Sequence, residues 1–296
     1  MTKDGAECVF VQDSVNGDNV NYTLYPKVMV GYKIKTSVTL WSNFVYNVYI
    51  PKANAYSFNV NGQTEAYDEV EIDGIIYYQV KVALPAGEAL GDISVAVKLN
   101  SGSTTVDASW TLNVLDYTKA VLDGDFDEVT KTLMKDMLVY ASAAYTYFGN
   151  ELDEDKTTEL EALTKDYGKE MPTGEAKKPT DKTYFTDVSV YLGDVPSFRF
   201  TLAEGYTADD FTFKVGERSV TASVVDGKVE IVMYAYMMLD DVTFTVNATG
   251  VTETYNLYEY YEFAKAENDT NLIAIVEALM KYSVSAKDYR NSVIGA

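Results

Sequence analysis

Between Val38 and Ile50 apolar and polar residues alternate with a period of two, and the pattern returns at Ile75 to Leu84, Ile93 to Leu99 and Val106 to Val114. Side chains of an extended strand point alternately to opposite faces, so each stretch predicts a half-buried β-strand. Tyr56 to Val60 predicts a further short one. Turn residues separate them: Pro51, Asn61-Gly62, Asp73-Gly74, Pro85 with Gly87, and Gly102. After Asp116 the period lengthens to that of a helix, with a break at Asp123-Gly124. Asp125 is the expected N-cap, with Glu128 three residues on as in a capping box. Val129, Leu133, Met137, Tyr140, Ala144 and Tyr147 then form one apolar stripe, and Gly149 supplies a left-handed stop.

The whole plan then repeats. Strands are expected at Val188 to Leu192, Phe198 to Leu202, Phe211 to Val215, Val229 to Met238 and Val242 to Val246, followed by a helix over Asp269 to Tyr289. Tyr140, Ala144 and Tyr147 fall against Tyr282, Ala286 and Tyr289 at one constant spacing. Tyr32, Ser37, Val38 and Leu40 fall against Tyr184, Ser189, Val190 and Leu192, and Asp73-Gly74 against Asp226-Gly227. Asn113 and Tyr117 match Asn256 and Tyr260, just before each helical region. The chain therefore divides into a tail or extra strand at 1–28, a first module at 29–149, a charged surface linker at 150–182 and a second module at 183–296. The fold class is mostly β with α: two tandem β-sandwich (Ig-like) modules, each closed by an Ala- and Tyr-rich helix.

Composition removes most alternatives. With 45 acidic against 24 basic residues, the formal charge of -21 disfavours nucleic acid and anionic membrane surfaces. No apolar run is long enough to predict insertion in a membrane, and Met1 to Glu7 is not of signal-peptide type. One cysteine, Cys8, forms no internal disulfide. The complete lack of histidine removes the usual general base and the imidazole metal ligands. No catalytic residue, metal or cofactor is therefore nominated, and the chain reads as a non-enzyme. Asp123, Asp125 and Asp127 are spaced like the start of a calcium loop, but the glycine that such a loop needs is missing and helix capping accounts for them better. Paired carboxylates could hydrolyse glycosides without histidine, yet 45 acids nominate no pair.

What stands out is aromatic content, 25 Tyr, 12 Phe and 2 Trp. An aromatic ring offers a flat apolar face with a polar edge, matching the C-H patches and hydroxyls of a sugar ring. Strand parity sorts the rings. Val38, Leu40, Phe44, Val48 and Ile50 form the core set, leaving Trp41, Asn43, Asn47 and Tyr49 opposite, while Trp110 counts into the core. Tyr77 and Gln79 face away from Tyr78 and Val80, and Tyr234 and Tyr236 take the outward parity of the second half. The candidate carbohydrate site is accordingly Trp41, Asn43, Tyr49, Tyr77 and Gln79, with Tyr234 and Tyr236. Covering a helix is the commoner use of such a face, and that reading stays open beside the ligand platform.

The strand Ser37-Val-Thr-Leu-Trp-Ser-Asn-Phe-Val-Tyr-Asn-Val-Tyr-Ile50, paired with the helix Met137-Leu-Val-Tyr-Ala-Ser-Ala-Ala-Tyr-Thr-Tyr-Phe-Gly149, resembles repeat modules of cell-surface and secreted modular proteins of gut anaerobic Gram-positive bacteria. Some of these belong to starch-binding assemblies of amylosome type. The resemblance implies an extracellular protein held at the cell surface, a polysaccharide ligand such as the α-glucan starch, and other surface-assembly proteins as partners. The alternative it allows is a structural or adhesive spacer within a larger surface protein. The second half departs where Gly193 stands against Trp41, so each half needs its own argument for binding.

Overall fold

The computed structural model describes all residues except 1, 4–5, 17–18, 27, 32–33, 41–43, 102–103, 166, 181, 194 and 295–296, and no side chain of 1–33, 41–43, 101–104, 106 or 294–296. The protein is mixed α/β and rich in β-structure, consistent with β-sandwich packing. Strands β1 (Thr2–Lys3), β2 (Ala6–Asn16) and β3 (Asn19–Pro26) form an antiparallel sheet of their own. Next come β4 (Val28–Gly31), β5 (Ile34–Leu40), β6 (Phe44–Pro51), β7 (Ala55–Val60), β8 (Asp68–Ile72) and β9 (Ile75–Leu84). They are followed by β10 (Ile93–Ser101), β11 (Thr104–Leu112) and the helices α1 (Val114–Asp123), α2 (Glu128–Tyr147) and α3 (Glu154–Leu163). The second half holds β12 (Phe185–Tyr191), β13 (Ser197–Leu202), β14 (Phe211–Val215), β15 (Arg218–Val220), β16 (Ser223–Val225) and β17 (Lys228–Val232). It ends with β18 (Val242–Val246), β19 (Thr252–Tyr255), α4 (Leu257–Glu267) and α5 (Thr270–Ile294).

One sheet of the first half runs β4-β5-β6-β9-β8 and the other β11-β10-β7; the second half gives β12-β13-β17-β16 and β15-β14-β18-β19. The repeated order follows from repeated local signals. Asp73 and Gly74 (φ +54° and +76°) close the β8-β9 hairpin, and Asp226 and Gly227 (φ +51° and +74°) close β16-β17. Two successive left-handed residues are what a tight hairpin turn requires, and Asp-Gly supplies them with little strain. Asn113 and Asn256 each cap a helix by accepting a backbone N–H, from Asp116 at 2.8 Å and Glu259 at 3.2 Å. At the end of α2, Gly149 (φ +80°) and Asn150 donate back to the carbonyls of Thr146 and Tyr145, satisfying the last turn as the sequence predicts.

Three expected elements are corrected. The strand expected over Val38 to Ile50 is two strands, β5 and β6, paired antiparallel with Leu40 opposite Phe44. Three residues between them preserve parity, so the alternation runs through a hairpin unbroken. The N-cap of α2 is Asp127, whose carboxylate accepts from Thr130 N at 2.7 Å, rather than Asp125. The strand expected over Val229 to Met238 stops at Val232, and Ala235–Met237 form a 3-10 turn. Met233, Ala235 and Met237 are buried at a spacing of two, which imitates a strand. The equivalent turn in the first half, Ala86–Glu88, is announced by Pro85 and Gly87; Tyr234 and Tyr236 stand at those two places.

Core residues of both halves form one continuous cluster. Its centre is the antiparallel pair α2 and α5, which stacks the repeat-equivalent Tyr140 and Tyr282 at 5.6 Å and 11°. Phe44 meets both rings edge-on, at 6.0 and 6.1 Å. A pseudo-twofold axis thus passes through the tyrosine pair. On one side of it Asp136, fully buried, accepts from Ser285 and from Lys169 Nζ, the latter at 2.9 Å. Segment 150–182 is docked on both halves rather than looped free. Lys156, Lys169, Lys177 and Lys178 pair with Asp92, Asp136, Asp241 and Glu259 at 2.6–2.9 Å. Asn256 Nδ2 donates to the carbonyl of Glu175 at 2.9 Å, and Thr180 N donates to Glu253 at 2.7 Å.

Candidate functional site

Of the residues nominated on the first half, Tyr49, Tyr77 and Gln79 do not face solvent. Strand parity itself holds, since Tyr49 and Tyr77 gather with Ile72 in a small cluster separate from the main core. Their exposure does not: Tyr49, Tyr77 and Gln79 are 1, 0 and 2% accessible. The register of β6 on β9 sets Tyr49 opposite Gln79, and their side chains use each other up. Gln79 Nε2 donates to Asn47 Oδ1 at 2.9 Å, Asn47 Nδ2 donates to Thr39 Oγ1 at 2.9 Å, and the hydroxyls of Ser37 and Tyr49 lie 3.0 Å apart. Lys35 Nζ sits 5.4 Å from the Tyr77 ring centre and donates to Asp73 at 3.1 Å. Buried polar side chains are tolerated when they satisfy one another, and this network explains why polar identity at these positions misreads as exposure. Trp41 and Asn43 lie outside the described residues. Trp110 is half-buried against the main core, as its parity predicts.

On the second half the 3-10 turn lifts Tyr234 and Tyr236 out of any strand and stacks them at 5.8 Å and 5°. Both are half-buried. Arg218 from β15 donates to the Tyr236 hydroxyl at 3.2 Å, and the Arg290 guanidinium of α5 lies 4.6 Å from the centre of the same ring. Repeat equivalence explains how the site arose. In the first half Gly87 stands at the place of Tyr236 and Phe148 at that of Arg290, and a Cβ on Gly87 would sit 2.6 Å from the Phe148 ring. One half fills this corner with a phenyl ring over glycine; the other with a guanidinium over tyrosine. Lys287, on α5, is held by Asp240 at 2.9 Å.

Sequence reasoning missed the arginines, although a signal was available: the chain holds three, Arg199, Arg218 and Arg290, all in the second half. It also missed a groove of about 410 Å³ between α2, α3 and α5, on the side of the pseudo-twofold axis away from Asp136. Ala143 and Ala278 line it at the positions equivalent to Ser285 and Asp136, with Lys281 and Glu277 on its wall. Tyr261 donates to Glu277 at 2.6 Å, a bond that pushes its own pKa up to about 12. Among the described residues no three His, Cys, Asp or Glu side chains converge to hold a metal, and no helix is long and apolar enough to cross a membrane.

The two halves thus share a scaffold and differ at their aromatic surfaces. Comparison with protein-family models, curated proteins and solved structures returns no match for this chain.

Proposed function

We propose that this chain is a non-catalytic carbohydrate-binding protein of the cell surface, built as two tandem Ig-like sandwich modules, and that its second half carries the binding site. The observation behind this reading is the parallel Tyr234/Tyr236 pair, partly open to solvent and ringed by Arg218 and Arg290. Stacked rings held by a 3-10 turn offer a preset face for a sugar ring, and the arginines add hydrogen-bond donors at its edge. The surface location and an α-glucan such as starch as ligand rest on the resemblance of the strand and helix motifs. A spacer role is the second reading, favoured by the docked segment 150–182 and the α2/α5 pair, which fix the halves to one another.

Native affinity electrophoresis in gels containing starch, xylan, mannan, β-glucan or polygalacturonate tests the proposal. Retardation is expected for the parent chain and lost in Tyr234→Ala and Tyr236→Ala, with the thermal transition retained. Retardation lost in Trp41→Ala but kept in both tyrosine variants moves the site to the first half. No retardation by any polysaccharide overturns the binding reading in favour of the spacer.

A further inference from the structure

Each of the three arginines of this acidic chain contacts a tyrosine. Arg199 is neutralised, donating to Glu230 at 2.8 Å while lying 3.7 Å over the Tyr191 ring. Among the described residues Arg218 and Arg290 have only Tyr236 as a partner, and neither forms an ion pair. In a chain of 45 carboxylate side chains, two uncompensated guanidinium groups converging on one ring are a local reversal of charge. A guanidinium is a planar fork of donors that fits a carboxylate or sulfate in bidentate fashion, and stacking on an aromatic ring fixes that fork in advance. Lys287 and Asp240 cancel each other nearby, so neither competes for the pair.

We infer that the Tyr234/Tyr236 site takes a sugar bearing an anionic group, in the first place the carboxylate of a uronic acid, with the ring on the tyrosines and the anion at Arg218 and Arg290. This rests on the carbohydrate reading of the same site and puts an anionic sugar in place of a neutral α-glucan as its preferred ligand. The overall charge of -21 repels a long polyanion, but fields are screened over about 8 Å at physiological salt, which leaves the arginines to act on a short oligosaccharide.

Isothermal titration calorimetry of the full chain with trigalacturonate, its methyl ester and maltotriose separates the two claims. The acid is expected to bind at least tenfold more tightly than its ester. Arg218→Gln and Arg290→Gln should each erase that ratio, weakening the acid at least tenfold more than the ester. Equal affinity for acid and ester overturns the anionic site but leaves carbohydrate binding in place, whereas no heat with any sugar overturns both. A sulfated galactose trisaccharide binding more tightly than trigalacturonate, with the same dependence on both arginines, retains the anionic site and assigns it to sulfate.

Discussion

Replacing Tyr140 or Tyr282 by alanine tests the claim that the two halves share one core. Both side chains are about 2% accessible and stack on each other across the pseudo-twofold axis. Truncating a buried aromatic ring costs about 3–5 kcal/mol through lost burial and the cavity left behind. Part of that loss is common to both variants, because a stacked pair contributes roughly 0.5–1.5 kcal/mol beyond its area. A double-mutant cycle should therefore return a coupling of about 1 kcal/mol. Urea and thermal unfolding followed by circular dichroism should show one cooperative transition in the parent chain. It should be lowered by roughly 6–10 °C in either single variant, at about 2 °C per kcal/mol for a chain of this size. Tyr140→Phe separates ring from hydroxyl. Among the described residues the buried Tyr140 hydroxyl has no hydrogen-bond partner, so its removal should leave stability unchanged or raised. Two resolved transitions, one of them indifferent to Tyr282→Ala, would refute the shared core, as would singles that lose under about 1 kcal/mol.

Breaking the buried contact of α2 with the docked segment should be asymmetric. Lys169→Met strands a carboxylate that is fully buried, whereas Asp136→Ala leaves a lysine that reaches solvent, its side chain being 22% accessible. Chemical denaturation should rank Lys169→Met as the more damaging, at about 3 kcal/mol, and the reverse order would refute the assignment of Asp136 as the buried charge. Alkaline pH should unfold the protein. Burial pushes the Tyr46 and Tyr260 phenols up to about 12 and raises Tyr140, Tyr255 and Tyr282 as well. Folded values above the unfolded value of about 10 mean that this stabilisation is complete below pH 10 and lost as pH climbs through 12. Absorbance at 295 nm should show a late step coinciding with loss of circular dichroism, and titration of all tyrosines in one step with the fold intact would overturn it.

Much of this architecture is written locally. Asp73-Gly74 and Asp226-Gly227 select their turns because few other pairs accept two left-handed residues in succession. Asn113 and Asn256 cap because a short amide reaches the exposed N–H groups of a first helical turn. The stripe through Tyr140 and Tyr147 requires a buried face on α2 whatever covers it. Each signal concerns neighbours along the chain, and each is repeated, so the duplication is legible from residue order alone.

The candidate site was far less legible, because exposure belongs to partners rather than to residue type. Tyr49, Tyr77 and Gln79 sit opposite the core set as parity requires, yet the cross-strand register lets the polar atoms of Tyr49 and Gln79 find partners, and all three are buried. Tyr234 and Tyr236 stand where the first half has the Pro and Gly that announce the turn, so only the backbone bonds reveal it, from Met237 N to Tyr234 O at 2.8 Å and from Met238 N to Ala235 O at 3.3 Å. Segment 150–182 reads as a charged surface linker, and spacing could not show that its lysines meet carboxylates far away in the chain, on both halves. The sequence by itself determined most of the strands, the Asp-Gly turns, the Asn caps and the repetition, which are short-range consequences of backbone sterics and side-chain period. Only the tertiary structure decided that the repeated helices would pair through Tyr140 and Tyr282, and that Arg218 and Arg290 would meet at Tyr236. Those contacts join residues far apart in the chain, where spacing carries no information about distance.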